Sequence, residues 1–179
     1  MNIPRLVASG TALIVVGCAD GLDPTAPALP LRSDSPGLSA EPARRIQSSG
    51  SFAAIVDFST LTLTSKGRNC LLEVEGELVF TGTIEGSGTG QTSALVFAPC
   101  SDVATTPPGT YPDVFKSELV FDGTIDGEPA EANLLYMGSV QPGGAIEGRL
   151  VFSNGVQGVL EADAVVAVGG DYRGFVVVN

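Results

Sequence analysis

Three cysteines are the residues of this chain whose chemistry is easiest to specify. Cys18 follows the small residue Gly17 at the end of an apolar run, Leu6 to Val16, and its thiol is placed to take a lipid. With Cys18 so assigned, Cys70 and Cys100 remain as an even pair, which in an oxidising compartment reads as a disulfide. Closing that loop of about 30 residues stabilises by roughly 3 to 4 kcal/mol in the chain-entropy account. Two free buried thiols are the alternative, and a metal site on two cysteines without further ligands is weaker still. Glu73, Glu75 and Glu77 form an acidic ladder on one strand face. Calcium or a carboxylate pair could be proposed there, but the ladder lacks loop carbonyls, and a solvated outer wall accounts for it better. The chain has no histidine and no tryptophan. That removes the commonest general base and transition-metal ligand, and with them Ser-His and Cys-His nucleophiles. No catalytic residue, no metal and no cofactor is expected.

The residues before Cys18 resemble a bacterial lipoprotein signal: Arg5 in the leading segment, an apolar stretch too short to span a bilayer, and Gly17 before the cysteine. Val16 departs from the alanine or serine usual at that place. The resemblance divides the chain into a signal peptide over 1–17, a lipid anchor and disordered linker over 18–50, and a folded domain over 51–179. It implies the bacterial cell envelope, with anchoring in the outer membrane facing the periplasm or the cell surface, the sorting favoured by Ala19 in place of aspartate. Cleavage after Ala19 by a conventional signal peptidase is the competing reading, and an uncleaved membrane helix fits worst on length.

With 9 basic residues, one of them Arg5, against 20 acidic ones, the exterior repels phosphate backbones. Nucleic acid is therefore not an expected partner. Pro24, Pro27, Pro30, Pro36 and Pro42 punctuate a stretch without helical or strand periodicity. About 30 residues of such composition reach on the order of 100 Å extended, or about 30 Å as a coil.

From Ser51 the pattern changes to apolar and polar residues in alternation, punctuated by glycine. Leu72, Val74, Gly76, Leu78, Phe80, Gly82 and Ile84 share one face; Phe115, Leu119, Phe121, Gly123 and Ile125 repeat the arrangement. The spacing predicts eight strands, over 52–64, 71–85, 91–98, 115–126, 129–139, 145–153, 156–167 and 172–178. A β-bulge is expected near Ser59 and Thr60, where Phe52, Val56 and Phe58 fall out of phase with Leu61 and Leu63. An all-β, eight-stranded antiparallel up-and-down barrel is the fold this predicts, its interior filled by side chains or by one small ligand. The hairpin after residue 71 is expected to turn near Ser87 to Thr89, leaving the two cysteines several residues out of register.

The inward aromatic set is read as Phe80, Phe97, Phe121, Tyr136 and Phe152, with no charge inside. Facing glycine and alanine, these side chains either pack as a core or leave a dry pocket for an apolar molecule. Tyr111, in the long connection from Cys100 to Val114, is a candidate lip of such a pocket. Val79, Val96, Val120 and Val151 fall on the outer face and allow a homo-oligomer contact.

Several motifs together carry a resemblance: Phe80-x-Gly82-x-Ile84-Glu85-Gly86-x-Gly88, Phe121-x-Gly123-Thr124-x-Asp126-Gly127, Gly155-x-x-Gly158-x-Leu160 and Gly170-x-Tyr172. From about Cys70 onward they resemble an uncharacterised bacterial barrel family with the allene-oxide-cyclase-like fold, related to the calycins. The resemblance implies a small barrel without a settled activity. Three functional readings follow: a module binding a small apolar ligand or a protein partner, an isomerase or cyclase by analogy with the barrel's enzymatic relatives, and a structural or adhesion lipoprotein.

Overall fold

Period-two alternation closes into a cylinder here because every strand finds a neighbour on both sides. The structure is a computed structural model describing residues 43–178. The signal peptide, the lipidation at Cys18 and the linker, all three expectations from the sequence, lie wholly or mostly outside the described residues. The strands are β1 (Arg44–Lys66), β2 (Asn69–Gly82), β3 (Ile84–Val96), β4 (Asp113–Ile125), β5 (Glu128–Val140), β6 (Ala145–Ser153), β7 (Val156–Val165) and β8 (Gly169–Val178). A four-residue helix, α1 (Cys100–Val103), lies in the connection from β3 to β4. Each strand pairs antiparallel with the next and β8 returns to β1, so the eight-stranded up-and-down barrel has no free edge.

Two expected boundaries move. The first strand starts at Arg44 rather than in the low fifties, so the last residues assigned to the linker belong to the barrel. Arg44 to Ala53 pair with Val178 to Gly169, a partner 116 or more residues away that local periodicity does not reveal. Ile46 and Ser48 point inward and Ser49 and Ser51 outward, a serine-rich alternation that hides the strand. The hairpin between β2 and β3 turns at Thr83, not near Ser87 to Thr89, with Phe80 opposite Gly86. Ile84 stays fully buried after the corner just as Phe80 is before it. Because the inward phase survives the turn, the alternation reads as one strand running through to residue 85.

The lower half of the barrel is solid. Phe80, Phe121, Ile84, Ile125, Leu134, Leu150, Leu160, Val156 and Val176 are all less than 2 % exposed. An aromatic chain rises through the centre: Phe152 meets Phe121 edge-on (5.5 Å between centroids), Phe121 meets Phe80 (5.9 Å), Phe80 meets Phe52 (5.7 Å), and Phe52 meets Tyr136 (5.6 Å). Such pairs contribute about 0.5 to 1.5 kcal/mol each beyond the area they bury. At the floor the Tyr172 hydroxyl accepts a hydrogen bond from the Ile84 N–H (2.9 Å), and the Thr81 carbonyl lies 3.2 Å from the same oxygen. That satisfies the backbone where the β2–β3 corner bends over the core.

The bulge expected in the first strand is present and larger than a single residue. Asp57 pairs with Glu75 and Thr62 with Glu73, so four residues of β1 stand against Val74 alone. Asp57 holds the turn by accepting from the Ser59 N–H (3.0 Å) and hydroxyl (2.6 Å). These bonds hold its carboxyl below the usual carboxylate range. Thr60 Oγ1 accepts from the Glu75 N–H (2.9 Å), replacing the ladder partner that the bulge removes. An odd number of inserted residues flips the phase, which is why Leu61 and Leu63 turn inward while Phe58 is 54 % exposed.

Candidate ligand cavity

Above the aromatic floor the barrel is hollow. A cavity of about 290 Å³ lies between Phe52, Leu78, Leu119, Phe115 and Tyr136 below and the β3–β4 connection above. Its walls are Leu72, Val74, Ala94 and Val96 on one side and Val140, Ile146 and Ala164 on the other. Small side chains make the space. Ala94 stands level with Leu72 and Phe115, and Ala164 level with Ile146, so large residues face short ones.

The connection from Phe97 to Pro112 folds over the mouth as a lid. Its base is closed where the Phe97 N–H donates to the Pro112 carbonyl (3.0 Å). On the β2 side Cys70 and Cys100 are joined by a disulfide with their Cα atoms 4.8 Å apart. Around it Cys70, Val96 and Ala98 form a small apolar cluster with Leu63, Leu72, Val103 and Tyr111. On the far side the Gly143 N–H donates to the Gly109 carbonyl (2.9 Å). Gly109 has φ +80°, and a Cβ there would stand 2.6 Å from Val166 Cγ1 and 2.7 Å from the Gly144 Cα. Only glycine allows both that backbone shape and that approach. Val103, Pro107 and Pro108 between the two anchors, and Tyr111 just past the second, roof the cavity.

Polar side chains are a minority of the lining, and two of them, Asp113 and Tyr136, each carry a buried oxygen without a partner among the described residues. Asp113, the first residue of β4, stands at the mouth level with Val96 and Val140. It is 8 % exposed, and its Oδ1 makes no hydrogen bond among the described residues. Burial pushes its pKa up to about 6. Deeper down, Tyr136 lies opposite Ser117 with its hydroxyl buried and unpaired. Burial, and then the charge of Asp163, raise its pKa above the ordinary phenol value. Thr92 and Ser117 satisfy each other through a 2.7 Å hydroxyl contact. Four residues of strand separate Asp113 from the Tyr136 level, about 13 Å of rise.

The residues singled out from the sequence divide into three groups. Tyr136 and Tyr111 line the cavity, from the floor and from the lid. Phe80, Phe121 and Phe152 lie beneath it in the packed core. Phe97 does neither: it is 48 % exposed, whereas Val96, read as outward, is 6 % exposed. The phase of β3 is set by Gly88, Gly90, Thr92 and Ala94 in line with Val96, a run of small residues with weak apolar contrast. Glu73, Glu75 and Glu77 alternate with the buried Val74 and Leu78 on the outside of the wall. The expectation of an interior without charge is corrected by Asp113. Its signal was available, because Asp113, Phe115, Ser117, Leu119 and Phe121 share one parity across the boundary that Pro112 suggests.

Comparison with known proteins leaves the chain without a family. No protein-family profile matches it, and no curated protein does. Among solved structures it is similar to a protein of unknown function from the DUF3224 family of Shewanella oneidensis MR-1, at 16 % identity and a TM-score of 0.45, over 75 % of this chain and 96 % of that one.

Proposed function

We propose that this barrel is a non-catalytic module that holds one small, predominantly apolar molecule in the space between its aromatic floor and its lid. The observation that carries the reading is the cavity itself: lined mainly by apolar side chains, roofed by a doubly anchored loop, and of a size suited to a small ligand. Binding is favoured over turnover by the placing of the two unpartnered polar groups. Asp113 and Tyr136 start from different levels of the wall, opposite Val140 and Ser117, and no hydrogen bond joins them into an acid and base pair among the described residues. The allene-oxide-cyclase-like resemblance belongs to the same proposal as the source of a barrel that carries a pocket. A lipid at Cys18 and a proline-rich tether would present the module at a membrane of the cell envelope.

Titration with N-phenyl-1-naphthylamine, a neutral probe that fluoresces in apolar surroundings, tests the reading. One probe per barrel is expected, and Ala94→Phe, which sets a ring in the cavity, lowers the affinity at least tenfold while the fold is retained. Binding of equal strength in native protein and variant would place the probe elsewhere and refute the proposal.

A further inference from the structure

An unpartnered carboxylate at the mouth of a greasy cavity is an expensive feature unless something meets it. Asp113 takes part in none of the ion pairs among the described residues, all four of which lie on the exposed surface. Its strand neighbours at the same level, Val96 and Val140, are apolar and buried. They offer no oxygen to a metal ion, which needs several, but they accept hydrocarbon. A group complementary to this site carries a hydrogen-bond donor or a positive charge on an apolar body. The surroundings act in the same direction: with 20 acidic against 9 basic residues, the field of the molecule draws cations toward the mouth and repels anions.

We propose that Asp113 makes the cavity selective for apolar molecules that end in a protonated amine, with the amine at the mouth and the hydrocarbon on the aromatic floor. This rests on the ligand-binding reading above and names its ligand class. An ammonium that donates to the Asp113 carboxylate pairs its charge and offsets the cost of holding it among apolar neighbours. An apolar acid of the same shape would place two carboxylates together at the mouth.

Three matched compounds, 2-naphthylmethylamine, 2-naphthylmethanol and 2-naphthoate, separate the claims when their affinities are measured by displacement of the neutral probe at pH 7.5. The amine is expected to bind the native protein about tenfold or more tightly than the acid, with the alcohol between them. In Asp113→Asn the amine-to-acid ratio should fall to within about threefold; Asp113→Ser serves if the first variant does not fold. A native protein that binds the alcohol but does not discriminate, or a ratio that persists in the variant, overturns the role of Asp113 and leaves the cavity reading standing. A native protein from which none of the three displaces the probe overturns the ligand class, and a probe that does not bind, or binds Ala94→Phe equally well, overturns both.

Discussion

Among the described residues, Asp113 is the carboxyl whose burial raises its pKa, and it sets a pH dependence. An acid whose pKa rises on folding holds its proton more tightly in the native state, so the native state is penalised as the carboxyl ionises. The penalty is absent below about pH 4, where both states are protonated, grows through the window up to about 6, and is complete above it. Its size is of the order of 3 kcal/mol at neutral pH. Asp113→Asn, which keeps the shape and removes the charge, should therefore stabilise the empty protein by up to about 3 kcal/mol at pH 7.5 and by almost nothing at pH 4. Urea denaturation of both proteins at the two pH values measures the difference. An equal effect at both would mean that the carboxylate is solvated or paired. Asp113 is also where reading by residue type falls short: aspartate next to proline signals a turn, and only the parity of the strand beyond it reveals that the side chain faces the axis.

The lid is an element held at two points, and its anchors differ in kind. The Cys70–Cys100 bond is covalent and sits over the β2 wall, while the Gly109–Gly143 contact is one backbone hydrogen bond. Cys70→Ala together with Cys100→Ala should lower stability by about 3 to 4 kcal/mol. With one anchor gone, release of the neutral probe should also be faster, several-fold in stopped-flow dilution, because the roof swings on its remaining contact. An unchanged release rate would show that ligand leaves without the lid moving. Most strands were legible because alternation marks a half-buried sheet. The corner at Thr83 was not, since its phase is continuous, and the start of β1 was not, since its pairing partner is the far end of the chain. The bulge was legible in position from the phase slip at Ser59 and Thr60. Its length was not, because that depends on the Asp57 and Thr60 bonds across to β2.

At the scale of the whole molecule, a closed barrel of eight strands can be solid or hollow, and composition does not decide between them. Here it is both. Large aromatics stack in the lower half, and alanines at 94 and 164 leave the upper half open. Of the five aromatics that strand parity assigns to one inward set, three belong to the packed floor, one to the cavity and one to the outer surface. Strand parity gives direction but not height along the axis. The proposed lipid anchor at Cys18 is a separate matter from the barrel, and mass spectrometry of the mature N-terminus decides it: a lipid-modified cysteine supports the tethered arrangement, and an N-terminus beyond Cys18 refutes it. For the central claim, that the upper half is an apolar compartment beneath a pinned lid, the direct measurement is anomalous diffraction from crystals of the protein soaked with 2-bromonaphthalene. A bromine peak enclosed by Phe52, Phe115 and Tyr136 below and Tyr111 above is the predicted result. Bromine found solely on the outer wall, over an interior closed by side chains, would contradict it.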